Sequence, residues 1–95
     1  MRLDPKMAIA IKEALLEAEP GSSVRLFGSR TDDRAKGGDI DVLWLTDRKV
    51  SSQTIRRIKI ELYKRFGWQK IDIVNFRRDD KDPFISIALQ TAIDL

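Results

Sequence analysis

The chain has 95 residues, a length that fits one domain with a thin core and leaves no room for a second, substrate-holding domain. Hydrophobic residues make up 42% and charged residues 35%, the balance of a soluble globular chain, and no apolar run nears the roughly 20 residues that cross a bilayer. Histidine and cysteine are both absent, which excludes imidazole catalysis, disulfides and thiolate zinc sites, so any metal must be held by oxygen, as magnesium, manganese or calcium are. The formal charge of +3 admits an anionic partner, yet lysine and arginine are spread along the chain and mark no particular surface. Met1-Arg2-Leu3-Asp4-Pro5 lacks the apolar stretch of a secretory signal, so the cytoplasm is the expected location.

In chain order, Asp4-Pro5 reads as a helix cap followed by proline at the first helical position. Ala8, Ile11, Leu15 and Ala18 then recur at helical spacing until Glu19-Pro20-Gly21. Ser23 to Phe27 predicts a first strand and Asp39 to Leu45 a second, with Ile40, Val42 and Trp44 on one face. Ser51 or Ser52 can cap a second helix with the stripe Ile55, Ile58, Leu62 and Phe66, closed by Gly67. Ile60 falls off that stripe and reads as an isolated exposed isoleucine, with a contact as the alternative. Gln69 to Asn75 predicts a third strand, parallel to the second through the helical crossover, with Ile71 and Ile73 inward and Asp72 on the other face. Asp82-Pro83 caps a last helix, expected to run to Leu95 with no charge before Asp94; a helix so apolar is expected to pack in part against another chain, or else to bury two of its sides within this fold.

The stretch FGSRTDDRAKGGDIDV, residues 27–42, carries the chemistry. Strand alternation points Asp39 and Asp41 the same way, with Cα atoms about 6.7 Å apart. Two carboxylates so placed repel, and aspartate is disfavoured in strands. A divalent cation with oxygen ligands offsets that repulsion, and Asp72 on the neighbouring strand offers a third carboxylate, enough for a pair of cations. Gly28-Ser29, where the first strand ends, reads by itself as an ordinary turn; in combination with the aspartates it also lets a backbone approach a phosphate and adds a hydroxyl. Asp32 and Asp33 read as solvated. The stretch lacks the Gly-Lys-Ser/Thr ending of a P-loop, and Asp39 to Leu43 lacks the ligand spacing of a calcium-binding EF-hand loop.

Gly28-Ser29, nine intervening residues, Asp39-Ile40-Asp41 and the later Asp72 in KIDIV together resemble the DNA polymerase beta-like nucleotidyltransferase superfamily. The likeness is to its minimal nucleotidyltransferase branch, short proteins paired with HEPN-domain proteins. The resemblance implies an α/β (α+β) nucleotidyltransferase fold over residues 1–95, a small mixed sheet of about three strands in the order α-β-β-α-β-α. It implies that Asp39, Asp41 and Asp72 bind two Mg²⁺ or Mn²⁺ ions, that Gly28, Ser29 and Arg30 hold the triphosphate of ATP or another nucleotide, and that Asp72 assists deprotonation of the acceptor hydroxyl. Because the chain cannot hold an acceptor domain, the resemblance points to a helical HEPN-type partner, in a homo- or hetero-oligomer and a toxin-antitoxin setting. There the chain would transfer AMP to a hydroxyl as antitoxin or catalytic subunit. Two other classes stand beside this one: a non-catalytic subunit that neutralises its partner by contact, and a small basic nucleic-acid-binding module with an incidental acidic pair.

Overall fold

The structure is a computed structural model and describes residues 4–28 and 39–95. Its elements follow as α1 (Pro5–Ala18), β1 (Ser23–Phe27), β2 (Ile40–Thr46), α2 (Ser52–Phe66), β3 (Ile71–Arg77), α3 (Pro83–Thr91) and β4 (Ile93–Asp94). The caps read from the sequence hold each helix start. The Asp4 carboxylate accepts from the Lys6 amide at 2.9 Å, Ser51 Oγ from the Thr54 amide at 3.2 Å, and the Asp82 carboxylate from the Phe84 amide at 2.9 Å. Gly67 ends α2 at φ 80°, in the left-handed region that glycine adopts most cheaply.

The four strands lie in the order β3-β2-β1-β4, with β2 and β3 parallel and the other pairs antiparallel. One face of the sheet presents Val24, Leu26, Ile40, Val42, Trp44 and Ile71 to Ile11 and Leu15 of α1 and to Ile58 and Leu62 of α2, and these residues form the core. Trp44 is fully buried, yet its indole N–H donates to Ser22 Oγ at 2.8 Å, so burial leaves no polar atom stranded. The opposite face is covered by α3, whose Phe84 ring meets Phe27 of β1 edge-on at 5.7 Å and Phe76 of β3 at 6.0 Å. Leu43, which alternation assigns to this second face, is fully buried.

The C-terminal segment corrects the expected last helix. That helix stops at Thr91, Ala92 turns extended at ψ 145°, and Ile93 and Asp94 pair with Leu26 and Arg25 as a fourth strand. The Leu95 amide continues the pairing to the Val24 carbonyl at 3.4 Å. Without β4 the outer edge of β1 would present unpaired N–H and C=O groups, and closing that edge outweighs one more helical turn. β2 and β3 also run one to two residues further along the chain than their hydrophobic alternation indicates, because Thr46 and Arg77 remain in the parallel ladder. Ile60 is 44% exposed and Ile87 of α3 is 63% exposed. Among the described residues no helix is long and apolar enough to cross a membrane.

Candidate active site

The carboxylates meet at one end of the sheet because the strand register brings them there. In the parallel ladder Asp41 lies directly beside Asp72, and in the antiparallel ladder Asp41 lies opposite Phe27. Neighbouring strands are about 4.8 Å apart, so two like charges share one face at the distance of adjacent strands. Asp39 stands two residues before Asp41, and alternation turns it the same way. The ring cluster of Phe27, Phe76 and Phe84 occupies this same face of the sheet, while Asp39, Asp41 and Asp72 are only partly buried.

The electrostatics of Asp41 record this crowding. Burial pushes its carboxyl above the usual carboxylate range, and the charges of Asp72 and Asp39 push it further in the same direction, against an opposing pull from Lys70. The Lys70 ammonium lies 3.5 Å from Asp39 Oδ2, and the Ile40 amide donates to the Lys70 carbonyl at 2.9 Å, so backbone pairing holds this lysine beside the acidic residues. Its position was readable in the alternation of Lys70-Ile71-Asp72, where an odd–even pattern sends Lys70 and Asp72 to one face. The role of Lys70 as counter-charge was not expected from the sequence.

Gly28 is built into the same corner. Its φ is 77°, and a Cβ placed on it would run into the Asp41 carboxylate, with Asp41 Cγ at 3.3 Å and Cβ at 3.4 Å. The glycine is therefore needed twice, for the backbone angle and for the close approach of Asp41 to the chain. Ser29 and Arg30, the other expected phosphate ligands, lie outside the described residues, as do Asp32 and Asp33.

Among the described residues no group of three or more acidic side chains is arranged to hold a metal ion. The donor chemistry nevertheless suits a hard divalent cation: three carboxylates at one sheet end, with the central one bearing its charge against burial and two like neighbours. The family model for polymerase beta, nucleotidyltransferase, matches residues 10–95. This chain belongs to the polymerase beta nucleotidyltransferase family. No curated protein matches it. The matched region contains the four described strands, Gly28, Asp39, Asp41 and Asp72.

Proposed function

We propose that this chain is a metal-dependent nucleotidyltransferase that transfers AMP from ATP to a hydroxyl on, or held by, a helical HEPN-type partner protein. The placement of Asp41 between Gly28 and Asp72 carries this reading. Asp39, Asp41 and Asp72 would hold Mg²⁺, which when bound neutralises the triphosphate and favours an incoming hydroxyl oxygen at the α-phosphorus. Gly28 keeps a side chain out of the space next to Asp41, and together with Ser29 and Arg30 it would bind the triphosphate. Asp72, at the open end of β3, accepts the proton of the acceptor hydroxyl, whose oxygen forms the new bond to the α-phosphorus as pyrophosphate leaves. The chain's share of the catalysis is to align these groups and to exclude misplaced charge.

Ile87 of α3, well exposed among the described residues, supports a protein acceptor or an acceptor held by a protein. Antitoxin or catalytic subunit of a two-component system is the setting proposed for it. The Lys70–Asp39 pair favours a second reading, in which the chain neutralises its partner by contact alone and the lysine already balances the acidic end. Incubation with labelled ATP, Mg²⁺ and the protein encoded beside this chain separates the two. The enzyme labels that protein, and Asp39→Asn with Asp41→Asn lowers labelling by about a thousandfold or more while partner binding persists. Undiminished labelling by the double variant refutes the metal site; binding without any labelling by the native chain supports the contact reading.

A further inference from the structure

Away from the acidic end, a groove of about 690 Å³ runs between α2 and the edge strand β3. Arg56, Lys59, Ile60 and Tyr63 line its helix side and recur at i, i+3, i+4 and i+7, one stripe of α2, while Ile73 of β3 lines the other side. Among the described residues no carboxylate lines the groove. Within α2 the ion pair joins Glu61 to Lys64, and no ion pair among the described residues engages Arg56 or Lys59. At the last turn the Tyr63 ring stands 6.4 Å from that of Trp68, inclined at 39°, and Trp68 is 78% exposed. Trp68 lies on the segment that enters β3, four residues before Asp72.

We propose that this groove binds a single-stranded polynucleotide, with phosphates on Arg56 and Lys59 and a base stacked on the exposed Trp68 beside Tyr63. Paired cations and exposed rings on one path match the two features of a single strand, a charged backbone and free base faces. A duplex buries its base faces, and an acidic protein surface engages the cations without using the rings. Binding here requires neither Asp41 nor a nucleoside triphosphate, so it stands apart from the transferase reading.

The test is fluorescence anisotropy with labelled oligo-dT and oligo-U of about 12 nucleotides, a length within the usual single-strand site sizes. At about 50 mM salt at least one oligonucleotide binds, and its affinity falls steeply as salt is raised. Arg56→Glu with Lys59→Glu weakens binding by about tenfold or more. Trp68→Ala weakens it by about threefold or more, and Trp68→Phe largely restores it. Binding also quenches tryptophan emission, because Trp68 is exposed while Trp44 is fully buried. Circular dichroism confirms that each variant is folded, and Asp41→Asn retains oligonucleotide binding whether or not it transfers nucleotide. The proposal is overturned if neither oligonucleotide binds, if the Arg56/Lys59 variant binds as well as the native chain, or if poly-glutamate or a duplex of equal length binds as tightly.

Discussion

At the far end of the β2–β3 ladder Asn75 and Thr46 are buried polar residues with every need met; at the near end Asp41 and Asp72 are acidic neighbours whose charges oppose each other. The Asn75 side-chain amide donates to the Trp44 carbonyl and to Thr46 Oγ1, both at 3.0 Å, and its oxygen accepts from the Val50 amide at 2.8 Å. The Thr46 hydroxyl in turn donates a hydrogen bond to the Arg48 carbonyl at 2.6 Å. Among the described residues no buried side-chain nitrogen or oxygen lacks a partner. This network ties the loop before α2 to β3 and is structural in purpose. The acidic end has the opposite character: its central carboxyl is raised by burial and by like charges, and glycine has been placed to let it approach the chain. The polar groups at the far end are satisfied within the fold, whereas the carboxylates at the near end carry an electrostatic cost that Lys70 offsets only in part.

Breaking the satisfied end has the largest expected effect on stability. Asn75→Ala strands the Val50 amide and the Trp44 carbonyl and removes a partner of Thr46, at a cost of about 2–4 kcal/mol. Urea titration would show a lower midpoint with an unchanged slope. A loss below about 1 kcal/mol would mean that water replaces the network and that the contrast between the ends is weaker than drawn.

Gly28→Ala attacks the other end, and Gly21→Ala is its control. Both glycines have the same backbone strain to impose on alanine, φ 77° and 81°, worth about 1–2 kcal/mol, but a Cβ at Gly21 meets nothing within 4 Å. Thermal melts are expected to show the larger loss for Gly28→Ala, and only that variant should also impair nucleotide transfer. Equal losses in stability and unchanged transfer would remove Gly28 from the site.

Asp41→Asn has the smallest effect and the opposite sign. With chelator present, the variant is expected to melt about 2–4 °C higher than the native chain near neutral pH, a modest gain because solvent reaches this side chain. Because the folded-state pKa of Asp41 is raised above the ordinary 3.8, its ionised form is disfavoured by folding. The native chain therefore loses stability as pH rises through the folded pKa, and the gap between native and variant closes as pH falls below the unfolded value. Melting curves across that range check the sign. A native chain more stable than the variant at neutral pH would show that Lys70 more than balances the acidic neighbours.

Local chemistry made much of this legible in the chain itself. Asp4-Pro5, Ser51 and Asp82-Pro83 start helices because their side chains accept the first free amides, and α1 and β1 occupy the residues that capping and alternation indicate. The buried face of Ile40, Val42 and Trp44 follows from a period of two, and so does the common direction of Asp39 and Asp41. Those patterns, with Gly28 and Asp72, also carry the family resemblance.

What pairs with what was decided by the tertiary structure. Apolar spacing cannot distinguish one more turn of α3 from an edge strand at Ile93–Asp94, a segment too short to display either period; the open edge of β1 chooses the strand. Register sets Asp41 beside Asp72, a fact of backbone pairing between segments separated by a helix. Pairing likewise brings Lys70 to Asp39 and the Asp41 carboxylate to Gly28, so the residue types were written in the chain while their distances, and hence their charges' effect on one another, arose only on folding.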